Sequence, residues 1–333
     1  MFRKAPSCSA TSVLGSLPSI LSLTLAHLLR NAGFSSQASA GLSMGGILNC
    51  ALDPLFMFVL LPRGQEVTGA AIATALSNTA ACLYLLAATR MASKEAPLSL
   101  SIREAKACRK EDRKGVFAVG IPSAMLTGLF DLANISLNKL AAAHSDLVLA
   151  GVGIVMKVER LPNAINLGIC QGMLPIVAFN YASGDHDRMQ NTISTARKWG
   201  LMISFACIAL FELFAPQVSH AFLSVSAGDA QNAANAVRAL GYAALFLRIR
   251  CIASPVQFIN YHTSYCLQAM GNGKGTLLHA FVRELIFYIP FMILLDRIFG
   301  ETGLASALPV GETCGAIFAL WLLNSWIKKA RKA

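Results

Sequence analysis

Apolar runs of about twenty residues, separated by short polar segments, recur along almost the whole sequence. A helix of about twenty apolar residues has the length that crosses the hydrocarbon core of a bilayer. The pattern therefore predicts an all-α, polytopic membrane protein. The nine predicted transmembrane helices are residues 9–29, 38–61, 67–88, 116–140, 147–179, 192–213, 241–268, 277–299 and 303–327.

The fifth apolar run is unusual because charged and amide side chains interrupt it. A charge at membrane depth costs roughly 2.5–3.5 kcal/mol on insertion scales, so such residues usually lie in a bundle interior or a wet cavity. We therefore expect a polar cavity beside this helix. The residues assigned to this substrate cavity are Lys157, Glu159, Arg160, Asn163 and Gln171, together with Asn260 of the seventh run.

These polar side chains form two stripes on the helix. At about 100° per residue, Lys157, Arg160 and Gln171 share one arc, and Glu159 and Asn163 share another. Neither stripe suits lipid, so the helix is predicted to be central in its bundle. Lys157 and Glu159 fit a charge relay or substrate contacts, but they also fit an internal ion pair or side chains that snorkel to the interface.

Two prolines bear on the continuity of this helix. Pro162 and Pro175 each remove a backbone hydrogen bond from the helix interior. They predict an interrupted helix, which favours a functional role for the segment.

A candidate cation site lies on the fourth run. Asp131, Asn134 and Asn138 are spaced i, i+3 and i+7, which places them on one helical face. An acid with two amide neighbours can hold a hard cation such as sodium through oxygens, or carry a proton. The alternative is an aspartate near a helix end that caps the helix or meets water.

A second candidate cation site lies on the second run. Asn49 and Asp53 are spaced i, i+4, and Pro54 frees a backbone carbonyl one turn back. Thr74 and Asn78 of the third run share a face that can complete this cluster. The alternative is a kink whose polar groups satisfy one another.

The polar residues of the seventh run repeat at helical spacing. Asn260, Ser264 and Gln268 recur every four residues, with His262 nearby. A single histidine in such a place is more often a satisfied structural group than a proton relay, so His262 is assigned no role.

Composition agrees with a membrane protein. The chain is 55% apolar and 14% charged, and its net charge of +11 comes from basic residues in short segments between apolar runs. That distribution argues against nucleic-acid binding, because basic loops set orientation in the membrane. The basic segment 90–115 and the C-terminus are therefore predicted to be cytoplasmic, and the segment also suits anionic headgroups.

The end of the chain repeats its beginning. Leu29-Arg-Asn-Ala-Gly33 resembles Leu267-Gln-Ala-Met-Gly271, and Thr68 matches Thr302, at separations that drift only from 238 to 234 residues. Two six-helix halves in parallel orientation are a recurring transporter architecture. The predicted organisation is a partial N-lobe (1–89), a cytoplasmic basic linker (90–115) and a complete C-lobe (116–333). Because the basic segment Met1-Phe-Arg-Lys4 then falls outside, against the charge rule, we interpret the first lobe as lacking its opening three helices.

No motif supports enzyme chemistry. The sequence has no G-x-S-x-G, H-E-x-x-H or P-loop pattern. The nine cysteines include no C-x-x-C pair, which argues against a disulfide framework or a metal site. The protein is therefore expected not to be an enzyme.

Several ordered motifs resemble the multidrug and toxic compound extrusion (MATE) transporters. Gly168-Ile-Cys-Gln-Gly-Met-Leu-Pro175 and Phe179-Asn-Tyr-Ala-Ser-Gly184 resemble the family's eighth helix and following loop. Leu267-Gln-Ala-Met-Gly-Asn-Gly-Lys274 is similar to the turn after its tenth helix. Leu48-Asn-Cys-Ala-Leu-Asp-Pro54 and Gly69-Ala-Ala-Ile-Ala-Thr74 look like its fifth and sixth helices. The resemblance covers nearly the whole chain after about residue 10.

The resemblance implies a twelve-helix, two-lobe fold of which this chain lacks the first three helices. It matches Asn49 and Asp53 to the polar pair on the family's fifth helix and places Asp131 on a helix where some members carry a cation-binding acid. The chain departs from the family pattern at Phe179, where tyrosine is usual, at Ala182-Ser183, and at Glu312, where aspartate is common.

The implied function is a cation-coupled antiporter that exports organic cations or drugs by alternating access between two lobes. Its coupling ion is Na⁺ or H⁺, without a cofactor or resident metal, and it is expected to be a monomer in the cell membrane. The alternatives are a related lipid-linked precursor flippase, which needs a larger and more basic cavity, and a truncated fragment that does not transport.

Overall fold

Helices are the regular secondary structure of the described residues. The computed structural model describes residues 5–62, 65–96, 98–221 and 230–330, and no strand occurs among them. The basic segment Met1-Phe-Arg-Lys4 and the last three residues of the C-terminus, which were used above for orientation, lie outside this part of the chain. The elements are α1 (Ala5–Asn31), α2 (Ser35–Pro54), π1 (Leu55–Leu60), α3 (Glu66–Ala92), α4 (Ile102–Ala107), α5 (Lys110–His144), α6 (Asp146–Ala182), α7 (His186–Ala221), α8 (Ala230–Cys251), α9 (Ser254–Ala269), α10 (Gly273–Phe281), π2 (Val282–Tyr288), α11 (Ile289–Phe299) and α12 (Glu301–Ala330).

Helices coincide with all nine predicted apolar runs. By length and hydropathy, six of the described helices are suited to cross a membrane, or seven if a bent pair forms one span. The bent pair is the predicted seventh run, in which Val237–Cys251 and Ser254–Ala269 meet at 54°. The eighth run is α10, π2 and α11 in succession.

The chain divides into two compact units, Met1–Arg109 and Lys110–Ala333. In the first unit, α1, α2 and α3 pack against one another around a small core that includes Leu25, Leu29 and Leu85. The basic linker contributes the short helix α4 to the first unit, and the side chain of Ser101 caps that helix by accepting from the Glu104 amide.

In the second unit, α6 packs against α5, α7, α8 and α9. Its polar residues are therefore held by several neighbours. The expected interruption is wrong, because α6 runs without a break for 37 residues through Pro162 and Pro175. A proline leaves one carbonyl of the preceding turn without its helical partner, and membrane helices tolerate this where neighbouring groups or local adjustments satisfy that carbonyl.

The two copies of the internal repeat end their helices in the same way. Gly33 and Gly271 both have positive φ, at 92° and 69°. The amides of Phe34 and Asn272, one residue later, donate to the carbonyls of Leu29 and Leu267 at 2.8 and 2.9 Å. This is the Schellman C-cap, in which glycine is preferred because it adopts positive φ without strain. The sequence likeness therefore reflects a shared turn geometry.

Close packing of α6 against α8 predicts that alanine substitutions at two glycines have opposite effects on stability. A Cβ on Gly151 would lie 2.9 Å from Tyr242 Cβ and 3.3 Å from the Ala243 amide nitrogen, whereas a Cβ on Gly153 would meet nothing within 4 Å. We expect Gly151→Ala to destabilise the protein by about 1–3 kcal/mol through overpacking. Gly153→Ala, the matched control, is expected to leave stability unchanged or slightly raised, since alanine favours helix. Thermal unfolding of the purified variants in detergent measures both, and equal melting temperatures would contradict the expectation.

Candidate functional site

The first unit holds a small polar cluster between α2 and α3. Asn49 Nδ2 donates to Asp53 Oδ1 at 3.1 Å and to Thr74 Oγ1 at 3.4 Å. Thr74 in turn donates to the Ala70 carbonyl at 2.8 Å. The structure thus brings together three of the four residues predicted for this cluster, and their oxygens are of the type that binds a hard cation. The side chain of Asn78 forms no hydrogen bond to Asn49, Asp53 or Thr74.

The second unit contains a polar cavity of about 190 Å³. Its walls come from α5, α6, α8, α9, π2 and α12. Five residues predicted from the sequence to be functional, on two different helices, gather here. The residues lining it are Phe130, Asp131, Asn134, Met156, Glu159, Arg160, Asn163, Arg250, Gln257, Glu284, Tyr288, Leu308 and Glu312.

A buried ion pair joins α6 to α8 at the cavity wall. Arg250 Nε and Nη2 donate to the two carboxylate oxygens of Glu159 at 2.8 and 2.9 Å. Only 6% of the Arg250 side chain and 13% of the Glu159 side chain are exposed. A two-point arginine–carboxylate pair is directional and strong. It also means that Glu159 is paired with Arg250 and not with Lys157, which lies two residues earlier on the same helix and so on nearly the opposite face.

A second buried ion pair joins π2 to α12. Arg283 Nη2 and Nε donate to Glu312 Oε1 and Oε2 at 2.6 and 2.9 Å. Glu284 is less closely held, with its Oε1 3.6 Å from Arg283 Nε. The Arg283 guanidinium also lies 4.9 Å from the ring centroid of Tyr261, a favourable cation–π distance. The π-helical turn of π2 thus presents Arg283 and Glu284 side by side.

The charges on the cavity wall do not cancel. Four carboxylates line it, from Asp131, Glu159, Glu284 and Glu312, against two guanidiniums, from Arg160 and Arg250. Arg283, directly behind the wall, adds one more positive charge. With all of these groups ionised, four negative charges stand against three positive ones, and a partly desolvated site with one excess negative charge favours cations.

The other residues predicted to form a functional site do not line this cavity. Asn138 is half-buried one turn beyond Asn134, and Lys157 is exposed. Gln171 lies within 3.5 Å of the Tyr265 hydroxyl. Asn260 is fully buried behind the wall and bonded to Glu312. Their assignments to a cation or substrate site stay predictions.

Arg250, Gln257 and Tyr288 line the cavity but were not predicted from the sequence to do so. Arg250 lies in an apolar run, so the rule that singled out Glu159, that charges at membrane depth are seldom incidental, also applies to it. Gln257 and Tyr288 give no comparable signal. His262, expected to be structural, lies within 3.0 Å of the Ile193 carbonyl and is almost fully buried.

No group of three or more candidate metal ligands occurs among the described residues. A further cavity, of about 260 Å³, lies in the first unit and is mostly apolar, with Gln37, Tyr84 and Glu95 as the residues that carry polar side-chain groups. Although larger, it lacks the converging charges of the cavity in the second unit. The latter, defined by its lining above, is called the acidic cavity below.

Comparison with known proteins identifies a matching family and several relatives of this chain. The family model described as MatE matches residues 122–294, which is more than half of the chain. The multidrug export protein MepA of Staphylococcus saprophyticus is 27% identical over 305 residues, covering 91% of this chain and 63% of that protein. MepA of Staphylococcus aureus (strain MRSA252) is 26% identical over 305 residues, with the same coverage. The chain therefore spans less than two thirds of the length of these relatives.

Solved structures agree on the fold. A multidrug resistance MATE family transporter of the MOP superfamily, in an outward-facing conformation, superposes with a TM-score of 0.87 at 22% identity, covering 99% of this chain and 70% of that one. A MOP superfamily transporter from Pyrococcus furiosus gives the same TM-score and identity, covering 99% and 71%. At this identity the likeness shows the fold alone. Together with the family match, it establishes that the chain belongs to the MatE family, a family of multidrug efflux transporters and not of enzymes.

Proposed function

We propose that this protein is a cation-coupled antiporter that exports organic cations by alternating access, with Na⁺ or H⁺ as the coupling ion. The single observation that carries the proposal is the excess of carboxylates in the acidic cavity. A cavity with this charge attracts both an organic cation and a coupling cation. Competition between the two for one set of carboxylates is the simplest physical basis for exchange, because each ligand favours the state that binds it better.

Two sites suit the coupling cation. In the second unit, Asp131 and Asn134 face the acidic cavity and Asn138 continues the same helical face. In the first unit, Asn49 and Asp53 hydrogen-bond each other. Carboxylate and amide oxygens are the ligands that a hard cation prefers, and a carboxylate also carries a proton. Both sites are therefore proposed to take part in coupling.

The organic cation is proposed to bind in the acidic cavity, where Glu159, Arg160 and Asn163 line the wall. Lys157, Gln171 and Asn260 are proposed to support this region from the same helix bundle. The protein is proposed to act as a monomer in the cell membrane. Its linker and C-terminus are proposed to be cytoplasmic, because basic segments favour that side of a membrane.

The flippase alternative receives less support. A lipid-linked precursor with a phosphate-bearing headgroup needs a larger, more basic cavity, whereas this cavity measures about 190 Å³ and has more carboxylates than guanidiniums. Opposite charge on a headgroup and its site is the ordinary requirement for such recognition.

The proposal is tested by transport with the purified protein in liposomes. We expect export of ethidium, a monovalent organic cation, to depend on an opposing gradient of either Na⁺ or H⁺ and to stop when that gradient is collapsed by an ionophore. Liposomes without protein are the control. Movement of a fluorescent lipid-linked headgroup without ethidium export would favour the flippase, and the absence of both would favour a fragment that does not transport.

A further inference from the structure

A chain of buried hydrogen bonds runs from the interior of the second unit to the wall of the acidic cavity. Ser264 Oγ lies 2.9 Å from His279 Nδ1, and His279 Nε2 lies 3.1 Å from Asn260 Oδ1. Asn260 Nδ2 donates to Glu312 Oε2 at 2.6 Å and to the Glu312 carbonyl at 3.0 Å. None of Ser264, His279 and Asn260 is more than 2% exposed.

The hydrogen bonds of this chain all point the same way. Glu312 offers Asn260 only acceptors, so the Asn260 amide nitrogen must face Glu312 and its oxygen must face His279. That oxygen needs a donor, which fixes the hydrogen of a neutral His279 on Nε2. His279 Nδ1 is then an acceptor, and Ser264 must donate its hydroxyl hydrogen to it. Each group in the chain therefore orients the next, ending at the Glu312 carboxylate.

Arg283 pairs with one of two neighbouring carboxylates. Arg283 lies between Glu312, at 2.6 and 2.9 Å, and Glu284, at 3.6 Å. Glu312 accepts three side-chain hydrogen bonds, two from Arg283 and one from Asn260, whereas Glu284 accepts none among the described residues. A carboxylate fixed by an additional donor presents both oxygens to the arginine fork, so Arg283 stays on Glu312.

We propose that Ser264 and His279 are positioning residues of the acidic cavity: acting through Asn260, they hold Arg283 on Glu312 and so leave Glu284 as the carboxylate that receives the organic cation. The proposal rests on the proposed function of this cavity and adds residues to it that lie behind its wall. If the chain is broken, the Asn260 amide turns, Glu312 loses a donor and Arg283 moves toward Glu284. Cation affinity then falls, although no residue touching the cation has changed.

Ser264 offers a test in which hydrogen bonding and packing predict opposite results. Ser264→Ala removes the hydroxyl donor, and Ser264→Thr keeps it but adds a methyl group at a site that is 2% exposed. We expect ethidium binding to the purified protein in detergent to weaken about tenfold in the alanine variant, which corresponds to ~1.4 kcal/mol, and to stay within about twofold of wild type in the threonine variant. If Ser264 served only to fill space, threonine would be the more damaging change, both in affinity and in melting temperature.

His279 provides an independent pair of variants. In His279→Gln a side-chain amide can still donate toward Asn260 Oδ1, whereas His279→Met is of comparable size and cannot donate. We expect glutamine to retain most of the ethidium affinity and methionine to lose about tenfold. In liposomes the loss should appear in the half-saturating ethidium concentration and leave the maximal rate within about twofold, because uniform binding affects the former.

A double-mutant cycle decides whether these residues act through Glu284. Glu284→Gln alone is expected to weaken ethidium binding at least tenfold. Adding Ser264→Ala should weaken it no further, because the Glu284 charge through which Ser264 acts is already absent. Independent effects that multiply in the double variant would overturn the proposal. If the wild type binds ethidium but no ion gradient drives its export, antiport fails while the positioning roles stand. If the wild type does not bind ethidium, both fail.

Discussion

Asp131→Asn is expected to abolish ion-driven export of ethidium while leaving folding and membrane insertion intact. Asparagine keeps the shape of the side chain but removes its negative charge. Asp131 lines the acidic cavity and makes no hydrogen bond or ion pair within the described part of the chain, so no internal partner loses its counter-charge. In the proposed mechanism it binds the coupling cation, and loss of the charge removes that differential binding. Initial export rates in liposomes, with protein incorporation measured in parallel, provide the test.

The control for this variant lies on the same helix. Asp112→Asn makes the same chemical change in the first turn of α5, where the residue is exposed and outside the acidic cavity. Export by this variant should remain within about twofold of wild type, as expected for an exposed charge that contributes little. Ion-driven export by Asp131→Asn at the wild-type rate would remove Asp131 from the coupling site.

Arg250→Met is expected to destabilise the protein by about 3–5 kcal/mol, because it leaves the Glu159 carboxylate without its partner in a poorly solvated place. Glu159 is 13% exposed, and within the described part of the chain both hydrogen bonds to its carboxylate come from Arg250. Replacing both residues at once, in Glu159→Met/Arg250→Met, removes the unpaired charge and should restore most of the lost stability. Unfolding of the purified variants in detergent by heat or denaturant gives the comparison.

Arg248→Met is the matched control for this effect. Arg248 lies on the same helix, is 51% exposed, and approaches Glu212 only to 3.9 Å. A pair of that kind contributes at most about 1 kcal/mol. If Arg250→Met lowered the stability no more than Arg248→Met does, the buried ion pair would not contribute to the packing of α6 against α8.

Hydropathy alone predicted the helical class and the positions of the helices, since the length of an apolar run and the thickness of a bilayer leave few alternatives. It also singled out Asp131, Asn134, Glu159, Arg160 and Asn163, because a polar residue inside an apolar run needs a special environment. The structure places all five on the wall of one cavity.

Periodicity could not identify partners across the chain. Glu159 and Arg250 are 91 residues apart in sequence, and Glu312 and Arg283 are 29 apart. Helical spacing fixes which residues share a face of one helix, but the face of the neighbouring helix that meets it depends on packing of the whole bundle. For the same reason, Lys157 and Arg160 share an arc in sequence, yet only Arg160 lines the acidic cavity.

The 54° bend between α8 and α9 divides one wall of the acidic cavity between two helical segments. Arg250 binds α6 from the segment before the bend, and Asn260 binds α12 from the segment after it. Only Ile252 and Ala253 separate the two helices. Rotation about the backbone of these two residues alters the angle between the segments while each keeps its own buried bonds. Ile252 and Ala253 are therefore the place where a change of backbone torsion would widen the cavity while the Arg250–Glu159 ion pair and the Asn260–Glu312 hydrogen bond stay intact.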